Sequence, residues 1–168
     1  MSIPSNTGIN TNTALSAGYS AVSYPNTFEE YGTANEVIPG GYAVYEDTDL
    51  LVKIITEAEL AQISARNSLG IALFSPEVAD VSSGGYKQYD GIKVGKTGYF
   101  TVVAYEQVAR GDVVRVQIEA ETGRPVGTWG KTATVGKTAV VNGARFWAAD
   151  SATVATVFLP DSITLTAD

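Results

Sequence analysis

Residues 85–121 constrain the fold most strongly, because short apolar runs alternate there with turn dipeptides. Asp-Gly, Thr-Gly and Gly-Asp pairs interrupt the segment at intervals, which is typical of connections between antiparallel strands. A chain of 168 residues has room for one domain with a real core but not for two full domains. We therefore predict an all-β fold, a small antiparallel β-sandwich or barrel (jelly-roll-like), with one short helix and an extended N-terminal arm.

Several local patterns refine this prediction. Residues 114–121 alternate apolar and polar side chains and predict a strand with one wet face, whereas residues 99–105 and 153–159 are apolar on both faces. A second sheet or a second subunit should cover those two strands. Asn142-Gly143 predicts a type I′ hairpin, because both central residues of that turn need positive φ.

One helix is predicted after residue 56. Thr56 and Glu59 have the spacing of a capping box and stand directly before Leu60, Ala61 and Ile63. Gly70 is the expected stop signal of this helix.

The chain divides by charge into an arm (1–27), a β domain (28–160) and a C-terminal tail (161–168). No charged side chain precedes Glu29. The arm has neither the net charge typical of disordered segments nor the periodicity of a helix or strand. We expect it to become ordered on a partner, and its candidate interface residues are Ile9, Leu15, Tyr19, Val22, Tyr24 and Pro25.

Composition excludes several functions. The net charge is −7, which disfavours nucleic acid as a partner. There is no His and no Cys, so triads with a histidine base and thiolate chemistry are impossible, and we expect no metal site and no cofactor. No stretch approaches the roughly 20 apolar residues of a membrane span, so we expect no membrane partner.

Two short patterns suggest other chemistry. Glu119 and Glu121 would lie roughly 7 Å apart on one strand face, near the carboxylate separation of inverting glycosidases. Any Glu-x-Glu on a wet strand has this spacing, so we predict that the chain is not an enzyme. Arg110-Gly111-Asp112 has the sequence of the Arg-Gly-Asp cell-adhesion motif. Gly-Asp also suits the turn before a strand that begins at Val113.

Five segments, taken in order, resemble the capsid cement or decoration proteins of tailed bacteriophages, loosely from Glu36 to Leu159. They are the uncharged arm, Val37-Ile-Pro-Gly-Gly41, Leu69-Gly-Ile-Ala-Leu73, Gly-Tyr-Phe-Thr-Val from Gly98, and Arg110-Gly-Asp-Val-Val114. The resemblance implies a β domain on the outer capsid surface of the virion, which clamps neighbouring subunits of the major capsid protein after synthesis in the host cytoplasm.

We expect two partners for this protein, the major capsid protein and further copies of the same chain. Strands that are apolar on both faces, in a chain with only 17% charged residues, favour closed symmetric assembly. We expect a homotrimer, with a dimer as the second choice.

A different class of function stays open at this stage, a glycan- or receptor-binding β-sandwich of a phage fibre. Aromatic side chains stack on sugars as readily as they fill protein interfaces. The candidates for such a site are Tyr19, Tyr24, Tyr86, Tyr89 and Trp129.

Overall fold

The computed structural model describes residue 18 and residues 28–74, 85–149 and 151–168. Within these residues, a 3₁₀ turn (Glu57–Glu59) leads into the one α-helix, α1 (Leu60–Arg66). The strands are β1 (Phe28–Ala34), β2 (Ile38–Pro39), β3 (Ala43–Glu46), β4 (Leu51–Ile54), β5 (Leu69–Leu73), β6 (Gly85–Tyr86), β7 (Gly91–Val103), β8 (Arg115–Gln117), β9 (Trp129–Gly130), β10 (Thr138–Asn142), β11 (Arg145–Ala149), β12 (Val154–Leu159) and β13 (Thr164–Ala167). The predicted all-β class with one short helix is confirmed.

Part of the larger sheet closes into a barrel. The sheet has seven strands in the order β1-β4-β3-β5-β7-β12-β11, and β1 also pairs with β7. The β1–β7 pairing is antiparallel, from Phe28 opposite Thr97 to Thr33 opposite Gly91, whereas β1 and β4 run parallel. Strands β1, β4, β3, β5 and β7 therefore form a small closed barrel, and β12 and β11 extend the sheet beyond it.

The barrel has an apolar interior of its own. Two side chains of this interior, Ile38 and Tyr86, come from the separate two-stranded sheet β2–β6, in which the two residues lie opposite each other. Both side chains are fully buried, so this pair is fixed to the barrel by its core. The buried members of the interior are Ala34, Ile38, Val44, Val52, Ala72, Tyr86, Ile92 and Val94.

A larger core lies between the outside of this sheet and a four-stranded sheet in the order β13-β10-β8-β9. Helix α1 closes one side of it with Leu60 and Ile63. Trp129 is its largest fully buried side chain, and the indole Nε1 donates a hydrogen bond to the carbonyl of Gly41 over 3.1 Å. The molecule is thus a sandwich in which one sheet curls into a barrel.

Strand β7 takes part in both cores. Ile92 and Val94 face the barrel interior, but Phe100 and Val102, which have the same parity, face the larger core. Because alternate residues of a regular strand point to one side, this change needs a break in the alternation. The β1–β7 register shifts between the two halves, since Phe28 is opposite Thr97 but Glu29 is opposite Gly95. Gly98 follows this irregularity with φ +127°, a conformation that favours glycine.

The helix ends earlier than the sequence indicates. Asn67, not Gly70, is the left-handed C-cap, with φ 51° and ψ 40°. Gly70 lies inside β5, where a Cβ would come within 2.3 Å of the Val94 side chain. At the start, Thr56 makes no capping hydrogen bond to the backbone; its hydroxyl instead donates to the Glu59 carboxylate. Gly70 is therefore required by the close packing of β5 against the Val94 side chain and not by the end of the helix.

The strand predicted over residues 114–121 is shorter in the structure. Only Arg115–Gln117 pair as β8, and Ala120 is exposed although it was assigned to the buried face. Gln117, assigned to the wet face, is fully buried, and its amide nitrogen donates to the Glu119 carbonyl. The alternation holds at the buried residues Val114, Val116 and Ile118 and ends there.

The predicted Asn142-Gly143 hairpin is wrong. Strand β10 pairs with β8 and β13, whereas β11 pairs with β12, so the two strands beside the turn belong to different sheets. Gly143 has φ +90°, but Asn142 has no positive φ, which excludes a type I′ turn. The chain crosses here from one sheet to the other because Val141 and Phe146 both pack into the larger core from opposite sides.

Residues 161–168, predicted as a tail, contain a strand of the smaller sheet. Strand β13 pairs with β10 from Ala139 opposite Ala167 to Asn142 opposite Thr164. Its end is held by Asp168, whose carboxylate accepts hydrogen bonds from Arg115 Nε at 2.9 Å and from the Thr138 hydroxyl at 2.6 Å. The C-terminal residues therefore belong to the β domain.

The crossing at Gly143 yields a stability prediction. In the variant Gly143→Val, the new Cβ lies 3.2 Å from Pro160 Cγ and the backbone keeps a positive φ. We expect a loss of roughly 1–3 kcal/mol in the free energy of unfolding, measured by urea denaturation. Gly91→Val is the control, because Gly91 has open space around it and no positive φ. Equal stability of the two variants would contradict this assignment.

Candidate docking surface

The predicted interface residues Ile9, Leu15, Tyr19, Val22, Tyr24 and Pro25 lie outside the described residues. Within the predicted arm, Gly18 is described and is bound to the β domain. Its N–H donates to the Thr101 carbonyl over 2.7 Å, and its carbonyl accepts from the Phe74 N–H over 2.6 Å. A Cβ at this residue would lie 2.9 Å from the Gly41 nitrogen. The chain is thus joined to the barrel well upstream of β1.

Three large apolar side chains are exposed around the last residues of β1, and we call Val37, Leu50 and Tyr89 the tip patch. Their exposed fractions are 59%, 61% and 73%. They follow β1, precede β4 and precede β7, respectively. Tyr89 is one of the aromatic residues that the sequence offers as glycan candidates, whereas no sequence pattern marks Leu50 as part of a site.

The end of β1 brings the patch together. Thr33 pairs with Leu51 on one side and with Gly91 on the other, so the Leu50 and Tyr89 turns flank the same strand. Adjacent strands are about 4.8 Å apart, so Leu51 and Gly91, the first residues of the two strands, lie roughly 10 Å apart on either side of Thr33. The Thr33 N–H donates to the Leu50 carbonyl over 3.0 Å, and the Tyr89 N–H donates to the Ala34 carbonyl over 2.7 Å.

Two residues of the patch have a backbone conformation that disfavours their side chains. Leu50 has φ +60° and Tyr89 has φ +73°, in the left-handed region. A residue with a Cβ loses roughly 1–2 kcal/mol there relative to the right-handed region. Burial does not compensate, since both side chains are mostly in solvent.

Acidic groups surround the patch. The Asp47 carboxylate accepts hydrogen bonds from the N–H groups of Asp49 and Leu51 and forms an ion pair with Lys53 at 2.9 Å. Burial alone would raise the pKa of Asp47, but these hydrogen bonds outweigh it and lower the pKa. The carboxylate is therefore ionised at neutral pH, and its contacts fix the turn that carries Leu50.

A polar cavity of about 250 Å³ adjoins the Asp47 turn and is lined by Glu30, Glu46, Asp47, Arg66, Asn67, Ser68 and Lys96. Lys96 Nζ donates to the Ser68 carbonyl at 2.8 Å and lies 3.6 Å from the Glu30 carboxylate. Burial lowers the pKa of Lys96. Burial raises the pKa of Glu46, and the hydrogen bond and negative charge of Glu30 raise it further.

The glycan candidates are dispersed. Trp129 and Tyr86 are fully buried, each in a different core, and Tyr89 is exposed. Tyr19 and Tyr24 lie outside the described residues. The structure adds Trp147, which is 42% exposed, contacts Tyr99 edge-on at 5.1 Å between ring centroids, and has the Arg110 guanidinium 4.1 Å from its ring.

The Arg110-Gly111-Asp112 tripeptide makes contacts within the protein. Arg110 stacks on Trp147, and the Asp112 carboxylate accepts from the Ala109 N–H at 2.8 Å and pairs with Lys131 at 3.1 Å. These hydrogen bonds to Asp112 lower its pKa. The two charged groups of the tripeptide are thus engaged with the β domain and are not displayed together.

The two glutamates with glycosidase-like spacing are not on a strand. Strand β8 ends at Gln117, and Glu121 forms ion pairs with Arg124 at 3.5 Å and with Lys137 at 3.8 Å. Glu119 is exposed.

The described residues contain no group of three or more His, Cys, Asp or Glu placed to hold a metal ion. Within the same residues, no helix has the length and apolar character needed to cross a bilayer.

An all-β scaffold with an exposed, acid-rimmed apolar patch is typical of proteins that act by binding other proteins. The comparisons with known proteins are specific. Residues 3–159 match the family model described as structural cement protein (E217 gp24/Pam3 gp6). A chain in the solved capsid of Myoviridae phage XM1 shares the fold with a TM-score of 0.67 at 18% identity, over 94% of this chain and 98% of that chain. No curated protein gives a significant match.

The family model covers nearly the whole chain, and the chain belongs to the phage structural cement proteins. It is a structural protein of the virion with a cementing role on the capsid. The resemblance found in the sequence is confirmed.

The paired carboxylates of the cavity yield a pH prediction. A raised pKa means that folded protein holds the Glu46 proton more tightly than the unfolded chain does, so this stabilising contribution is lost as pH rises above the ordinary value of about 4.3. Glu46→Gln should therefore melt at a higher temperature than wild type at pH 7, with a difference that shrinks towards pH 4.

The control for this experiment is Glu119→Gln, which removes an exposed glutamate with the same formal charge. It should change the melting temperature little at either pH. A Glu46→Gln variant that is no more stable than this control at pH 7 would contradict the raised pKa assigned to Glu46, which burial and the neighbouring Glu30 cause.

Proposed function

We propose that the protein binds the outer surface of the mature phage head and links neighbouring subunits of the major capsid protein. The single observation that carries this proposal is the family match over residues 3–159. The charge supports the outer location, because a protein with a net charge of −7 is repelled by packaged DNA. Neither nucleic acid nor a membrane is a partner in this proposal.

The proposed working form is a homotrimer, with a dimer as the second choice. In the described part of the chain, β11 and β13 each pair on one side only and end their sheets. Unpaired strand edges are templates for pairing with another chain. A closed oligomer places two or three copies of every docking surface on the head at once, which raises the effective concentration of each later contact.

The arm is a second proposed contact of each copy with the capsid. Its candidate residues Ile9, Leu15, Tyr19, Val22, Tyr24 and Pro25 would bury apolar surface in grooves of the capsid protein. Ordering the backbone opposes this by roughly 1–2 kcal/mol per residue, so the apolar contacts must exceed that. Gly18 gives the arm a fixed attachment on the barrel.

We also propose that the protein catalyses no reaction. Its family is a family of structural proteins. The Glu119 and Glu121 pair, the one arrangement that suggested hydrolysis, is separated from a common strand face by the end of β8. Loss of any observed turnover in Glu119→Gln would contradict this proposal.

Trp147 favours glycan binding as a second candidate function. A partly exposed indole held by Tyr99 and Arg110 is a rigid flat surface of the kind that stacks on a sugar. A cement protein binds assembled heads and is inert towards sugars, whereas a glycan-binding module does the reverse. Binding of a glycan array that is lost in Trp147→Ala would support the second candidate.

Deleting residues 2–17 tests the arm. This deletion keeps Gly18 and its two backbone hydrogen bonds, so we expect unchanged β-type circular dichroism and an unchanged oligomer by light scattering. Co-sedimentation with heads that lack the protein should be lost. This deletion removes Ile9 and Leu15 and keeps the other four candidate residues. A truncated protein that sediments with heads as completely as wild type would show that Ile9 and Leu15 are not needed for docking.

A further inference from the structure

We propose that the tip patch is the surface through which the β domain docks on the capsid protein, at an apolar depression with a basic rim. This inference rests on the proposed function and identifies the surface by which that function is carried out. It concerns Val37, Leu50 and Tyr89, which all belong to the described part of the β domain and not to the arm.

The fold does not explain why Leu50 and Tyr89 are large and apolar. Their exposed fractions of 61% and 73% mean that they bury little surface in either core. Their positive φ values would be unstrained with glycine. Side chains that are strained and exposed in the free protein gain their stabilisation elsewhere, and a protein partner that covers them supplies it.

The patch is held in place before any partner binds. Val37 directly precedes β2, and the neighbouring Ile38 is buried opposite Tyr86, three residues before Tyr89. The Gln88 side chain donates to the Asn35 carbonyl at 2.9 Å. Because the turns are fixed by the barrel core and by hydrogen bonds, docking orders few new groups, which favours affinity.

The charges around the patch select a partner other than a second copy. The described turns that carry the patch contain four carboxylates (Glu36, Asp47, Asp49 and Asp90) but only two ammonium groups (Lys53 and Lys87). Negative charge is therefore in excess around the patch. Two tip patches placed against each other would bring carboxylates against carboxylates, which opposes association. A capsid-protein surface with Lys or Arg around an apolar centre complements the patch in both respects.

The decisive variant is the double substitution Leu50→Gly and Tyr89→Gly. Glycine relieves the positive φ at both residues, so the melting temperature should stay the same or rise, while the apolar surface is lost. We expect affinity for heads depleted of the protein, measured by co-sedimentation of the full chain, to fall at least about tenfold, as for central interface residues. The oligomer measured by light scattering should not change.

Matched controls isolate the patch. Val135→Gly removes the most exposed large apolar side chain, 87% exposed in the loop before β10, and should leave head binding unchanged. Tyr89→Phe keeps the ring and should bind heads like wild type. Asp49→Lys changes the sign of one exposed rim charge and should weaken binding, with a smaller dependence on salt than wild type.

The outcomes separate the two proposals. If wild-type protein does not bind depleted heads, the proposed function fails, and this inference fails with it. If wild type binds and the double-glycine variant binds equally well, the inference alone fails. A double-glycine variant that changes the oligomer would make the patch a self-association surface and would also overturn the inference.

Discussion

Strand β7 is the element on which the rest of the structure depends. Its 13 residues close the barrel through β1 and β5 and then continue into the sandwich through β12. The change of face near Gly98 allows one strand to contribute to two cores. Without that change the barrel and the sandwich could not share a wall. The tip patch depends on the same strand, because Tyr89 leads into it and β1 is held against it.

The sequence predicts those parts of the fold that follow from local alternation and turn chemistry. The strand class, the short helix and the alternation of Val114, Val116 and Ile118 are all visible in single segments. The partner of a strand is not a local property, so Asn142-Gly143 suggested a hairpin where the chain changes sheets. Gly70 was likewise assigned to the helix end, since only the packed structure shows the Val94 side chain beside it.

The docking surface was the least predictable feature. The absence of charge in the arm predicts a docking segment there, whereas the turns of the barrel have no comparable sequence pattern. Leu50 follows Asp47-Thr48-Asp49, a polar turn in which one leucine attracts no notice. Its importance comes from the combination of a positive φ and an exposed side chain, and neither property can be assigned from one sequence. Tyr89 was selected only as one of several aromatic residues.

In the proposed arrangement, a rigid β scaffold presents the tip patch with its acidic rim to the capsid. The most direct test is a cryo-EM reconstruction of the parent virion at side-chain resolution. We expect the β domain on the outer surface, with Val37, Leu50 and Tyr89 buried against a capsid subunit beside Lys or Arg residues. A reconstruction in which these three side chains point into solvent, or in which the protein lies inside the head, would contradict the account.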